Sequence, residues 1–120
     1  MALKIYSDTE RLSSIILDSD GYETEMVFSE KLGSAIDQSN FPFFEGISNV
    51  IQISIPGNVE FIAPGTFTDF TGLTSVEIRG IVYGVIWHGG TDGRWTVPLS
   101  PATLVEELKK GSGSIEIIRK

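Results

Sequence analysis

The chain has no cysteine and a single histidine, His88, among its 120 residues. The first absence excludes disulfides, thiolate catalysis and every zinc or iron–sulfur centre built on sulfur. The second leaves no imidazole-rich metal site. Basic residues are scarce too: 9 Lys and Arg stand against 16 Asp and Glu, a formal charge of −7. Phosphate-backbone partners select clusters of Lys and Arg, so nucleic acid is not an expected ligand. No apolar run approaches the roughly 18 residues of a spanning helix, so a membrane is not expected either. The opening MALKIYSDTE turns polar too soon for a signal peptide's apolar core, and synthesis in a cytoplasm is the expectation. A Walker-type phosphate loop, a dinucleotide fingerprint and a nucleophile elbow are all missing. No cofactor is expected, and an enzyme ranks last among the function classes.

What is present is enough apolar material for one folded domain. Hydrophobic residues make up 41% of the chain, which excludes disorder, and 120 residues suit one core rather than two. Between residues 42 and 87 the sequence repeats itself at a spacing of 23. Phe44 falls on Phe67, Ile47 on Phe70, Val50 on Leu73, Ile53 on Val76 and Ile55 on Ile78. Gly57 then falls on Gly80, Val59 on Val82 and Ile62 on Val85. Apolar periods of roughly 20–29 residues are the mark of stacked-turn architectures. Residues 53–55 and 76–78 should therefore be neighbouring parallel strands, with Phe44 and Phe67 stacked in the interior. Carried back once more, the spacing sets Val27 under Val50, Leu32 under Ile55 and Ile36 under Val59. Glu30 under Ile53 and Gly21 under Phe44 break it, so a third turn would be degenerate.

The run from Ile55 to Ile78, IPGNVEFIAPGTFTDFTGLTSVEI, resembles one repeat of the BspA-like leucine-rich-repeat proteins. The matching positions are Ile55, Pro56, Val59, Ile62, Thr66, Phe67, Leu73, Val76 and Ile78. The resemblance covers one repeat well and a second loosely, and it implies core or turn roles for all nine. Members of that family stack many repeats and serve as surface or adhesion proteins. A fainter resemblance joins the first eight residues, MALKIYSD, to the starts of small tailed-phage virion proteins, in which an extended N-terminal segment engages a neighbour.

Taken in order, residues 3–6 read as a short strand. Residues 8–28 admit two readings. Ser7 and Glu10 form a capping box ahead of Leu12, Ile15 and Ile16 at helical spacing. Alternatively, strands at 13–17 and 22–28 join through Asp18-Ser19-Asp20-Gly21, and this hairpin is the preferred reading. Residues 29–38 suggest a helical turn or two with Leu32, Ala35 and Ile36 inward. After the repeats, a glycine-rich tip between Trp87 and Trp95 joins a strand at 80–87 to one at 95–99. Ser100 is a plausible N-cap with Pro101 at the first helical position. The helix over 102–110 should bury Leu104, Val105 and Leu108 and stop at Gly111. Residues 112–114 form a joint, and 115–118 form a last strand tied into a sheet.

Two constellations invite chemistry. Asp18, Asp20, Glu23 and Glu25 crowd one hairpin, but a calcium loop wants its oxygens wrapped round one point, and a solvated edge that resists aggregation fits better. Trp87, His88, Asp92, Arg94 and Trp95 offer stacking rings and polar groups for a small ligand or sugar. The plainer reading is a hairpin whose tryptophans pack on the core and whose Asp92 and Arg94 pair across the turn. No metal site is expected.

The expected fold is mainly β with one short C-terminal helix, a compact single domain containing about two stacked 23-residue turns. Residues 1–41 form an N-terminal strand and hairpin cap, 42–87 the repeats, and 88–120 the Trp loop, helix and final strand. With its apolar residues spent on the core, the chain is expected to act through its surface. The leading expectation is a structural or assembly protein of a phage virion, a head-decoration (capsid cement) protein docking on the major capsid protein or other virion subunits. The expected interface residues are Leu3, Ile5, Tyr6, Trp87, His88, Asp92, Arg94 and Trp95, and a homo-oligomer is compatible. The alternative is a BspA-like module that recognises a protein or a glycan.

Overall fold

Alternating and β-branched apolar runs become strands here, and ten of them, with one helix, carry the described part of the chain. The computed structural model describes residues 3–4, 12–17, 23–28, 30, 33–40, 47–90 and 94–119. A first sheet holds β1 (Leu3–Lys4), β2 (Leu12–Leu17), β3 (Glu23–Phe28), β5 (Gln52–Ile55) and β7 (Ser75–Ile78), in the order β1-β2-β3-β5-β7. A second sheet holds β4 (Ala35–Ile36), β6 (Phe61–Ile62), β8 (Val82–Gly89), β9 (Trp95–Pro98) and β10 (Ser114–Arg119), in the order β4-β6-β10-β8-β9. The protein is thus mainly β with one helix, α1 (Pro101–Lys110).

The hairpin reading of the N-terminal region holds: β2 and β3 pair antiparallel, with Ile15 opposite Met26. The helical reading of residues 29–38 holds at Glu30, which lies in a 3-10 turn with the Gly33 N–H donating to its carbonyl at 3.2 Å, but it fails at 35–36. Ala35–Ile36 is a short strand with Ala35 exposed and Ile36 buried, followed by a 3-10 turn at Gln38–Asn40. Leu32 lies outside the described residues.

The 23-residue spacing appears as a register. β5 and β7 run parallel with Gln52 opposite Ser75, Ile53 opposite Val76 and Ile55 opposite Ile78. Polar bonds repeat at the same interval: Ser54 Oγ donates to Glu77 Oε1 at 2.8 Å, and Thr74 Oγ1 donates to the Ile51 carbonyl at 3.1 Å. The first of these lets Ser54 sit 3% exposed between the buried Ile53 and Ile55, because its hydroxyl is satisfied.

Two complete stacked turns are not what the fold holds, however. Continuing the spacing would set β8 beside β6, Val85 next to Ile62. Instead β10 stands between them, with Ile115 opposite Ile62 on one side and Trp87 on the other, antiparallel to both. The backward extension also shifts. Val27 lies opposite Ser54, not Val50, and Ile36 opposite Ile62, not Val59. The first turn therefore has extra residues, which is why the periodicity fails at Glu30. Phe44, the expected partner of Phe67, lies outside the described residues.

One core serves both sheets. Met26, Phe28, Ile53 and Ile55 enter it from the first sheet, and Ile36, Ile62, Ile115 and Ile117 from the second. Phe67 lies at its centre, stacked on Phe28 at 6.2 Å and edge-on to Phe70 at 5.3 Å.

The helix covers the far end. It packs against β7, the edge strand of the first sheet, burying Leu104, Val105 and Leu108, and Lys109 Nζ donates to the Leu73 carbonyl at 3.1 Å. Covering an edge this way removes a template for unwanted strand addition. The Ser100 N–H donates to Thr103 Oγ1 at 3.1 Å, Pro101 opens the first turn, and Gly111 closes the last with φ of 67°. A Cβ at Gly111 would lie 2.6 Å from Thr68 Cγ2 and 2.9 Å from Gly65 Cα. Gly111→Ala thus combines left-handed strain with a backbone clash. The expected loss is about 2–4 kcal/mol, read as a lower urea midpoint at unchanged slope.

The Arg119 side chain ties the last strand to the turns. Its Nε donates to the Val59 carbonyl at 2.8 Å, Nη1 to Arg79 at 2.7 Å and Nη2 to Pro56 at 3.0 Å. Arg79 in turn donates from Nη2 to the Phe28 carbonyl. Burial pulls the Arg119 pKa below its ordinary value, while Glu60 acts to hold it up.

Candidate functional site: the tryptophan hairpin and its groove

β8 and β9 pair antiparallel, with Trp87 opposite Val97, His88 opposite Thr96 and Gly89 opposite Trp95. Residues directly opposite share a face, and successive residues alternate. Trp87 sits opposite the buried Ile115, and Val85 opposite the buried Ile117, so these two face the core. His88 therefore points to the other face, where its Nε2 lies 2.9 Å from Glu116 Oε1. The fold does not bring His88 to the tryptophans.

The glycines of the hairpin are explained by the rings. Trp87 lies so close over Gly89 and Gly113 that a Cβ would come within 2.1 Å of its Cζ2 at the first and 2.6 Å of its Nε1 at the second. Trp95 lies over Gly90, where a Cβ would sit 1.9 Å from its Cδ1. The expectation that both tryptophans pack on the core holds for Trp87 alone, because Trp95 is 67% exposed on an edge strand. Arg94 is exposed just ahead of β9, and Asp92 lies outside the described residues, so the cross-turn pair does too.

Beside the hairpin is a groove of about 390 Å³. Trp87, Val97 and Leu99 form its strand wall, Glu107 and Lys110 its helix wall, and Gly90 and Ser112 also line it. Glu107 and Lys110 are three apart and so share a helix face. Two atoms of lining residues, Trp87 Nε1 and Glu107 Oε2, are closed to solvent and without a hydrogen-bond partner. The sequence reading missed the helix wall, since Glu107 and Lys110 look there like an ordinary solvated face. Their spacing was the only signal.

A second groove, of about 220 Å³, lies between β7, β8 and the start of α1, lined by Val76, Ile78, Val82, Val85 and Leu104 among others. The β8–β10 register skips one residue between Gly84 and Val82, which makes Tyr83 a bulge. That slip lets Val82 and Val85 both line this groove and leaves Tyr83 65% exposed.

Of the other expected interface residues, Leu3 lies in β1 at the outer edge of the first sheet, opposite Ile16 of the same chain. Ile5 and Tyr6 lie outside the described residues. In the acidic hairpin, Glu23 and Glu25 sit on β3, while Asp18 and Asp20 lie outside the described residues. Among the described residues no three His, Cys, Asp or Glu side chains group as metal ligands, and no helix is long and apolar enough to cross a membrane.

Comparison with family models, with curated proteins and with solved structures gives no match for this chain.

Proposed function

We propose that this chain is an assembly protein that works by docking on another protein, as a head-decoration protein of a tailed-phage virion does. The observation that carries this reading is the pair Ile81 and Tyr83, 67% and 65% exposed beside a core that is already closed. A bulge that holds an aromatic ring out in solvent serves contact, because aromatic anchors dominate the energetics of protein interfaces. The charge of −7 favours a basic patch on the partner. Strand addition along β9 is disfavoured, because Pro98 carries no N–H to offer a neighbour.

The test is co-sedimentation of the purified chain with assembled capsids encoded beside its gene. Loss of a hot-spot aromatic costs about 2 kcal/mol or more, so Tyr83→Ser should weaken decoration by at least about 30-fold while leaving the melting temperature nearly unchanged. Deleting residues 1–7 tests the N-terminal segment separately. If a folded Ile81→Ser/Tyr83→Ser variant decorates capsids as well as the parent, this docking surface is wrong. Sedimentation of the chain alone shows whether the same residues join copies to each other.

A further inference from the structure

The groove between the tryptophan hairpin and the helix has a composition that the docking reading does not use. One wall is aromatic and aliphatic: Trp87 and Val97, with Trp95 bordering through Gly90. The other carries a carboxylate, Glu107, and an ammonium, Lys110, with the Ser112 residue nearby. We infer that this groove binds a neutral saccharide ring, held against the tryptophan side by its C–H face and by its hydroxyls on the Glu107–Lys110 side.

The choice of class follows by elimination among ligand chemistries. A wholly apolar ligand would strip water from Glu107 and Lys110 and return no hydrogen bonds, which is costly for charged groups. An anion is drawn by Lys110 and repelled by Glu107, and a cation meets the reverse. A polyhydroxylated ring suits both, since each hydroxyl donates to a carboxylate or accepts from an ammonium. Its C–H face suits the exposed indole of Trp95. Ligand pockets run from about 300 to 1,000 Å³, so 390 Å³ is at the small end and fits one or two rings.

The two orphan atoms agree with this. A shielded donor, Trp87 Nε1, and a shielded acceptor, Glu107 Oε2, both belong to groove-lining residues. Buried polar atoms without partners are few in folded proteins and ask for an explanation. Both are closed to solvent, so pairing with a hydroxyl requires the Glu107 carboxylate to turn about its side-chain torsions into the groove. That turn would exchange an unsatisfied oxygen for a bonded one.

The experiment titrates the intact protein with glucose, galactose, mannose, N-acetylglucosamine and their disaccharides, following tryptophan fluorescence and the two indole N–H resonances. At least one sugar should shift both indole signals saturably at millimolar concentration. Trp95→Ala and Glu107→Gln should each weaken that binding about tenfold or more, the loss of one stacking or hydrogen-bonding contact. Trp95 is exposed and Glu107→Gln is isosteric, so both variants keep the fold. Tyr83→Ser should leave the affinity unchanged, which separates this site from the docking surface. If no sugar in the panel shifts the indoles, or if Glu107→Gln and Trp95→Ala bind like the parent, the saccharide assignment is wrong. A shift produced only by peptides would reassign the groove to protein recognition and also overturn it.

Discussion

Phe67→Ala is expected to lower stability by about 3–5 kcal/mol, the usual cost of truncating a buried aromatic side chain. The residue has no solvent exposure and joins two other rings, Phe28 from the first sheet and Phe70 from the following turn. Removing it therefore leaves a cavity bounded by the first sheet and by the turn that carries both Phe67 and Phe70. Because those segments are held by strand pairing and by turn hydrogen bonds such as Phe70 N–H to the Phe67 carbonyl, the site cannot collapse cheaply. Domains are stable by only about 5–15 kcal/mol, so the variant should unfold at much lower urea, with an unchanged slope. Phe67→Leu, which keeps most of the volume, should recover more than half of the loss. A Phe67→Ala protein within about 1 kcal/mol of the parent would remove Phe67 from the centre of the core.

How far the sequence reaches can be judged element by element. The helix is legible in full, because its signals are local: Ser100 and Pro101 at the start, Gly111 at the end, and Leu104, Val105 and Leu108 on one face. The β5–β7 register is legible because a repeated apolar spacing leaves a direct trace in a parallel pair. The place of β10 is not. Residues 114–119 announce a strand, but which two strands flank it depends on pairings distant in the chain, and no local pattern encodes that choice. The first turn fails for a related reason. Added residues between β3 and β5 cost little in a loop, yet they put β3 and β4 off the 23-residue frame that β5 and β7 keep. In the candidate site, the tryptophans are legible as a pair of exposed-or-core rings. Strand alternation alone also separates His88 from Trp87. Glu107 and Lys110 join them only through the packing of α1.

Arg119→Met is expected to cost about 2–4 kcal/mol, although the residue is next to last in the chain. Its guanidinium donates to three carbonyls at once, those of Pro56, Val59 and Arg79, at 3.0, 2.8 and 2.7 Å. Two of these lie in the turn after β5 and the third follows β7, so one side chain closes both parallel strands and anchors β10 to them. A charged hydrogen bond contributes about 1.5–3 kcal/mol. Arg79 is only half-buried and water replaces part of that at its carbonyl, which brings the total below the simple sum. The planar fork is what the site selects, since its donors diverge in a fixed plane towards separate acceptors. Arg119→Lys keeps the charge but places all its donors on one nitrogen, and it should recover less than half of the loss. The close approach of Gly80 belongs to the same arrangement: a Cβ there would lie 3.0 Å from Arg119 Nη1, at a residue whose φ is 88°. Although burial lowers the Arg119 pKa, an arginine stays charged throughout the range in which proteins fold, so the Arg119→Met loss should be flat with pH near neutrality. Urea titrations of the parent, Arg119→Met and Arg119→Lys at two pH values measure all of this together. A methionine variant within about 0.5 kcal/mol of the parent would show that the three carbonyls are served by water and that the clamp contributes nothing.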